Sequence, residues 1–304
     1  MSSEMMLLSK VSAVMLLVVA MAGSAHGCSC CGGGSDNGVW SSGLDFIGAS
    51  AEAVSVAEKN YASEAAGEEE LVASSSVITA EELADDLEGG QSLVMAYVGV
   101  PGDASFIEGS IQLPLAQVFN EDGTLKSPAE IADLFGAAGI AEGDTVVIYG
   151  DNLVYETFAF WVMKYLGHEK VLILEGTRED REAAEFKFVA NPTPRAAATY
   201  NPSPNLGLLA GDDDLTGVQL VDASSAAEYD AGHMAGAVNI PASMVIGSDN
   251  RFADDETLDQ ASSGLDKGQQ IFVSSSSGGQ ASLIWYLLYI RGYDVGLYIP
   301  GILV

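Results

Sequence analysis

Residues 232–241 read Gly-His-Met-Ala-Gly-Ala-Val-Asn-Ile-Pro, and this stretch decides the fold. Upstream of it, Leu220-Val221-Asp222 ends an apolar segment with a carboxylate, and Glu228-Tyr229 follows. An Asp at the end of a strand and a His at the start of a loop are typical turn and capping groups. The stretch therefore indicates a strand, a short helix and an ordered loop in close succession.

Strands and helices alternate on both sides of that stretch. Short, continuously apolar strands are typical of a parallel sheet that is buried on both faces. Strands are predicted at residues 93–98, 145–149, 170–174, 218–221, 270–273 and 295–299. Helices are predicted from Thr79 onward and at residues 128–135, 155–166, 226–231 and 280–291.

The two halves of the chain align with each other. Residues 144–149 align with residues 269–274, and the Leu-Gly-His of residues 166–168 then falls opposite residues 291–293. Two copies of one α/β unit therefore follow each other. The proline-rich residues 191–210 separate them, because proline at this density does not fit inside helices or central strands.

The second copy resembles the rhodanese (thiosulfate sulfurtransferase) family. The signature positions are Asp222, Gly232, His233, Gly236 and Pro241, and residues 106–114 are a weaker version of the same pattern. The resemblance covers about residues 75–304. It implies an α/β fold with two tandem rhodanese-like domains, at residues 76–190 and 211–304. Each would be a five-stranded parallel sheet with helices on both faces.

The resemblance also implies where catalysis would occur. In the family, a cysteine loop after the fourth strand leads into a helix, whose N–H groups lower the thiol pKa and cradle the anion. Here that loop is Ser274, Ser275, Ser276, Ser277, Gly278, Gly279 and Gln280. Ser275 stands at the cysteine position and Gln280 at a position often held by a basic residue. A serine hydroxyl forms no persulfide, and no G-x-S-x-G motif or base supports hydrolase chemistry.

The first copy also lacks the nucleophile. Gly150, Asp151 and Asn152 stand in the equivalent loop. In the second copy, Ser224 stands two residues after Asp222, where the family signature has an arginine. We therefore expect no catalytic residue, no metal site and no cofactor in either domain. A small oxyanion is expected to bind weakly at residues 274–280.

All three cysteines lie near the amino terminus, at Cys28, Cys30 and Cys31. Lys10, an apolar run at residues 11–22 and a small-residue end predict a signal segment at residues 1–27. Gly27-Cys28 and the glycines after it resemble a bacterial lipoprotein box and tether, so Cys28 is the predicted lipidation site. Simple secretion with cleavage after Ala25 is the alternative. Cys30 and Cys31 are a further candidate, for a metal or persulfide site.

The charge balance excludes one class of partner. The chain has 304 residues, with 12 Lys plus Arg against 43 Asp plus Glu, for a formal charge of -31. A nucleic-acid-binding protein needs a basic face, which this composition does not provide. Residues 28–75 carry an acidic run at residues 68–70 and are predicted to be a tether and solvated stalk.

These observations favour a non-catalytic function. The leading hypothesis is a binding or scaffold component of the bacterial envelope. It would be exported, lipid-anchored with the outer membrane favoured, and docked to an envelope protein. The alternative is an enzyme of the thiosulfate sulfurtransferase type that handles sulfur or selenium oxyanions. That enzyme would act through a thiol outside the two domains.

Overall fold

The computed structural model describes residues 76–100, 105–247, 249–275 and 278–302. The predicted signal segment, tether and stalk at residues 1–75, with Cys28, Cys30 and Cys31, lie outside the described residues. Ser276 and Ser277, of the loop at residues 274–280, also lie outside the described residues.

The amino-terminal half is built on a five-stranded parallel sheet. The strands of this half are β1 (Val77–Ile78), β2 (Leu93–Tyr97), β3 (Phe106–Ile107), β4 (Ile111–Gln112), β5 (Thr145–Tyr149), β6 (Val171–Leu174) and β7 (Phe188–Val189). The sheet order is β1-β6-β5-β2-β4, while β3 and β7 form a separate antiparallel pair.

The carboxyl-terminal half repeats this topology. Its strands are β8 (Leu209–Ala210), β9 (Gln219–Asp222), β10 (Val238–Asn239), β11 (Ile271–Ser274) and β12 (Val295–Tyr298). The order β10-β9-β11-β12-β8 is again all parallel and is the same as that of the first sheet read from its other edge. The predicted duplication of one parallel α/β unit is confirmed.

Helices connect these strands. They are α1 (Ala80–Glu88), α2 (Pro128–Ala137), α3 (Leu153–Tyr165), α4 (Arg178–Ala183), α5 (Ala226–Ala231), α6 (Asp255–Ser262) and α7 (Gly279–Ile290). Several begin with a reciprocal pair in which a Ser or Thr caps the helix and an acidic residue three positions later bonds back. The pairs are Thr79 with Glu82, Ser127 with Glu130, Thr177 with Asp180 and Ser225 with Glu228.

Both faces of the amino-terminal sheet are buried. Val146 and Ile148 of β5 point into the core that contains Phe158 of α3. Val147 of the same strand points into the opposite core with Leu83 of α1. This burial explains why the strand is apolar at consecutive positions and does not alternate with polar residues.

The two halves meet along α3 and α7. The Phe160 ring packs edge-on against the Tyr286 ring, with centroids 5.0 Å apart. The hydroxyl groups of Thr157 and Ser282 lie 3.0 Å apart within the same contact. One continuous apolar cluster runs through both halves, so the fold buries its largest side chains, including Trp161 and Trp285, around this helix pair.

The proline-rich segment lies against the amino-terminal half. Residues 191–205 contain no helix or strand, as predicted, and the strand β8 begins at Leu209. The Ser203 N–H donates to the Leu166 carbonyl over 2.9 Å. Gly167 has a φ of +83°, and a Cβ there would lie 2.2 Å from the Ser203 carbonyl oxygen. Only glycine permits this close approach.

Candidate functional site

The loop at residues 274–280 of the carboxyl-terminal half begins at the carboxyl end of its central strand. Ser274 of β11 pairs with Asp222 of β9, so the loops that follow these two strands are neighbours. In parallel α/β sheets, this edge is where ligands bind. The structure therefore brings Ser275 and Asp222, two of the predicted site residues, to the same edge of one sheet.

Ser275 is a capping residue in this structure. Its side-chain hydroxyl oxygen accepts a hydrogen bond from the Ala281 N–H over 3.2 Å, and the residue is 8% exposed. Gly278 precedes α7 with a φ of +70°, which favours glycine, and Gly279 is the first residue of the helix. The hydroxyl thus satisfies one N–H of the helix amino terminus, the group that would face a bound anion.

Gln280 lies beside this cap with part of its amide unsatisfied. Its Oε1 atom is buried and has no hydrogen-bond partner among the described residues. An arginine at this position would add a positive charge next to the helix amino terminus. Glutamine supplies no such charge.

The signature residues of the carboxyl-terminal half order its loops. Asp222 Oδ1 accepts from the Ser224 N–H over 2.9 Å, and Asn239 Nδ2 donates to the carbonyl of Asp222 over 2.9 Å. His233 Nδ1 lies 2.8 Å from the Tyr229 carbonyl oxygen, and the two rings stack with centroids 3.7 Å apart. These contacts fix the loop between α5 and β10.

Gly232, Gly236 and Pro241 belong to the same loop system. Gly232 ends α5, and Gly236 adopts a φ of +85° in a turn closed by a bond from the Ala237 N–H to the Met234 carbonyl. Pro241 precedes a short 3-10 turn at Ala242–Met244. These three signature residues thus provide backbone conformations that the loop requires.

The equivalent edge of the amino-terminal half is formed by Gly150, Asp151 and Asn152. A Cβ on Gly150 would lie 2.6 Å from the Val98 carbonyl oxygen, so the close approach of two strand ends requires glycine. Asn152 Oδ1 accepts from the Val154 N–H over 2.9 Å and caps α3. Asp151 lies 3.3 Å from the Tyr97 hydroxyl. Burial, with the nearby Asp151 charge, raises the pKa of Tyr97 to about 12.

A buried arginine that is not among the residues predicted from the sequence lies under this edge. Arg181 of α4 is 1% exposed, and its Nη2 donates to the carbonyls of Gly150 over 2.7 Å and Gly176 over 3.0 Å. The guanidinium also lies over the Tyr149 ring, 5.3 Å from its centroid. Its Nε atom has no hydrogen-bond partner among the described residues.

A buried carboxyl group accompanies this arginine. Glu156 is fully buried in the first turns of α3, and its Oε1 accepts from Asn250 Nδ2 over 3.2 Å. Its Oε2 has no partner in the described part of the chain. Burial raises the pKa of Glu156 to about 7, although the nearby Arg181 charge opposes this shift. Nothing in the local sequence distinguishes Glu156 from an exposed residue of a helix amino terminus.

A cavity of about 430 Å³ opens at this edge. Three segments line it: Asp151 to Leu153, Gly176 to Glu179, and the carboxyl-terminal-half loop that includes Asp249 and Asn250. Arg178 and several carboxylates therefore lie around one cavity. The described residues contain no cluster of three or more His, Cys, Asp or Glu side chains arranged to hold a metal ion.

Comparison with known proteins identifies the carboxyl-terminal half. Residues 208–303 match the model of the rhodanese-like domain family. A putative thiosulfate sulfurtransferase 1 of Mycobacterium bovis is 30% identical over 183 residues, which cover 52% of this chain and 66% of the relative. The match thus spans just under two thirds of that relative. A putative thiosulfate sulfurtransferase of Mycolicibacterium smegmatis is 27% identical over 227 residues, covering 63% of this chain and 81% of the relative.

Solved structures share the fold of both halves. A structure of the Escherichia coli 3-mercaptopyruvate sulfotransferase SseA superposes with a TM-score of 0.67 and 19% identity. The superposition covers 74% of this chain and 98% of that protein. The Tum1 protein of Saccharomyces cerevisiae superposes with a TM-score of 0.63 and 16% identity, covering 73% of this chain and 91% of Tum1. At these identities the likeness establishes the fold alone.

Among the described residues, no helix is both long enough and apolar enough to cross a membrane.

Proposed function

From the premise that this chain carries a rhodanese-like domain within a tandem rhodanese fold, we propose that it is a binding module whose two folded domains perform no sulfur transfer. The observation that carries the proposal is Ser275. By the family resemblance Ser275 stands at the nucleophile position, and its hydroxyl caps α7 by accepting from the Ala281 N–H. A hydroxyl group forms no persulfide, and the only cysteines of the chain are at positions 28, 30 and 31.

A thiosulfate-to-cyanide assay tests this proposal. In that reaction the outer sulfur of thiosulfate moves to cyanide, which gives thiocyanate and sulfite. We expect the full-length protein to form no thiocyanate above the uncatalysed rate. The matched control replaces Cys30 and Cys31 with serine. Wild-type turnover that disappears in this control would establish the competing function, a sulfurtransferase that works through the amino-terminal thiols. Turnover that survives the control would disprove the inactivity of the two domains.

The competing function rests on the relatives named putative thiosulfate sulfurtransferases. It requires a thiol outside the two domains, from Cys30, Cys31 or a second molecule. The same loop at residues 274–280 would then only hold a sulfur or selenium oxyanion. Binding there is weak in this proposal, because Gln280 brings no positive charge and the formal charge of the chain is -31.

Restoring the cysteine tests the chemistry of the loop directly. Ser275→Cys is expected to give a thiol with a pKa below the usual value of about 8.5, because α7 directs N–H groups toward it. A titration of thiolate absorbance measures this pKa. The control is Ser263→Cys, at the exposed carboxyl end of α6, where no such lowering is expected.

Turnover by the same variant is expected to stay low until Gln280→Arg is added, because the bound anion needs a counter-charge. Equal thiol pKa values in the Ser275→Cys and Ser263→Cys variants would show that the helix amino terminus does not act on position 275. Full turnover by Ser275→Cys alone would show that no counter-charge is required.

The proposed location is the bacterial envelope, with a lipid on Cys28, the outer membrane favoured and an envelope protein as the partner. The support is the sequence of residues 1–34: a charged start, an apolar run, then Gly27-Cys28 and a Gly-rich tether. The protein expressed in bacteria is expected to incorporate labelled palmitate and to partition into detergent. Cys28→Ala is expected to abolish both, with Cys30→Ala as the matched control. Wild-type protein without label would contradict the anchor and leave secretion as the alternative.

A further inference from the structure

Residues 249–252 of the carboxyl-terminal half cross the carboxyl edge of the amino-terminal half. Asn250 adopts a φ of +54°, in the left-handed region that few non-glycine residues occupy. In this conformation its side chain enters the amino terminus of α3. Its Oδ1 accepts from the Leu153 N–H over 3.0 Å, and its Nδ2 donates to Glu156 Oε1 over 3.2 Å.

Residues of the amino-terminal half also bond to the backbone of residues 249–252. The Gly176 N–H donates to the Asn250 carbonyl over 3.3 Å, and the Phe252 N–H donates to Glu175 Oε1 over 2.8 Å. Arg251 forms an ion pair with Asp180 of α4 over 2.9 Å. Apart from the Phe252 ring, which stacks on Tyr286 with centroids 4.9 Å apart, the segment is held by polar contacts.

The Asn250 side chain occupies the place of a ligand. The amino terminus of α3 is the first-half equivalent of the anion-binding helix end in this fold, and one of its N–H groups is satisfied by Asn250. The cavity at this edge is bounded by Asn250 on one side and by Asp151 to Leu153 on the other. Removing residues 249–252 would therefore expose the Leu153 N–H group and widen the cavity.

Glu156 lies beneath residues 249–252, in surroundings that affect how easily its carboxyl group ionises. Glu156 has one oxygen bonded to Asn250 and one without a partner in the described part of the chain. Ionisation leaves a charge in a buried place: burial and the Asp151 charge oppose the ionised form, while Arg181 and the hydrogen bond from Asn250 favour it. The Tyr286 hydroxyl, from α7, is also buried near these groups and has no partner among the described residues.

We propose that residues 249–252 are a strap that closes the carboxyl-edge cleft of the amino-terminal half, and that ionisation of Glu156 releases it. Burial outweighs the favourable hydrogen bond from Asn250 in setting the pKa of Glu156, so the ionised form favours an open cleft in which water reaches the carboxylate. Glu175 acts in the same direction, since burial raises its pKa while the Phe252 N–H and Arg251 oppose the shift and Asp249 adds to it. Asp180 stays ionised above about pH 4, because its bonds to Thr177 and Arg251 hold its pKa at about 2.

Hydrogen exchange of the full-length protein tests the strap. The reporter amides are those of Leu153, Gly176 and Phe252, which bond across the strap interface. After correction for intrinsic exchange, their protection is expected to fall together by about 30-fold between pH 5.5 and pH 8.5. The Val273 amide in the central strand β11 serves as the internal control and is expected to keep its protection.

Three variants test whether Glu156 is the group responsible. Glu156→Gln keeps an acceptor for Asn250 and cannot ionise, so most of the fall in protection should disappear. Glu256→Gln, at an exposed position of α6, should behave like the wild type. Asn250→Asp, which places a second carboxyl group against Glu156, should lower protection of the three amides further at pH 8.5, by about tenfold. Equal protection at both pH values in the wild type, or an undiminished fall in Glu156→Gln, would overturn the proposal.

Discussion

Replacing Arg181 with leucine is expected to lower the free energy of unfolding by about 3–5 kcal/mol. The guanidinium is buried and donates to the carbonyls of Gly150 and Gly176, which close the ends of β5 and β6. Leucine fills part of the space but leaves both carbonyl oxygens without their donor. An unsatisfied buried polar group costs about 1–3 kcal/mol, so two of them account for most of the expected loss.

The loss of charge adds a second effect in the same place. Arg181 is the positive charge that opposes the raised pKa of Glu156. Without it, Glu156 remains protonated to a higher pH, or its carboxylate stays buried with no cation beside it. The leucine variant is therefore expected to be more destabilised at pH 8 than at pH 6.

Denaturant unfolding at both pH values measures these effects. The matched control is Arg178→Leu in the same helix, because Arg178 is 40% exposed and pairs with the half-exposed Glu182 over 2.8 Å. Exposed pairs of this kind contribute about 0–1 kcal/mol, so the control should lose little stability. Similar losses in the two variants would show that the two carbonyl contacts of Arg181 do not stabilise the edge.

The sheet and its duplication could be predicted from the sequence because both are local patterns. Residues 145–149 and 271–274 are apolar at almost every position, and such runs fit only a sheet that is covered on both faces. The two-residue strands β1, β4, β8 and β10 were not predicted. A strand of two residues has no periodicity, and its position is set by the neighbouring strand with which it pairs.

The candidate site was predicted only in part, for a similar reason. The Ser275 loop follows a recognisable strand and precedes a recognisable helix, so its position between these two elements could be predicted from the sequence. Arg181 and Glu156 come together through the fold of the amino-terminal half, and Asn250 reaches Glu156 only through the packing of the two halves. The helix predicted at residues 155–166 includes Glu156, but nothing in its sequence marks that residue as buried. In the fold it is buried and accepts a hydrogen bond from Asn250, 94 positions away, and no local pattern encodes that contact.

Replacing Glu156 with glutamine is expected to make the protein more stable above pH 7. The carboxyl group titrates at about 7 in the folded protein, against an ordinary value of 4.5. Below pH 4.5 the group is protonated in both the folded and the unfolded states and contributes no pH dependence. Between these values only the folded state holds the proton, so stability falls as the pH rises.

The size of this effect follows from the pKa difference. Each pKa unit corresponds to about 1.4 kcal/mol, so the wild type should lose about 3 kcal/mol between pH 4.5 and pH 8 through this group alone. Glutamine cannot ionise, so the variant loses none of this stability as the pH rises. The substitution has a free-energy cost of its own, because one polar atom at this position has no partner in the described part of the chain. The variant should therefore match the wild type or fall below it at pH 5 and exceed it at pH 8.

The difference between the two proteins is the quantity to measure, because other carboxyl groups act in the opposite direction. Asp180, Glu130 and Glu82 have lowered pKa values from their hydrogen bonds at helix starts, and they stabilise the fold as the pH rises. Their effects cancel when Glu156→Gln is compared with the wild type at each pH. Glu256→Gln, at an exposed position, should show no such crossover. A constant difference between Glu156→Gln and the wild type from pH 5 to pH 8 would mean that Glu156 is already ionised when buried. Arg181 would then be its effective counter-ion, and no change in the ionisation of Glu156 over this pH range could release the strap.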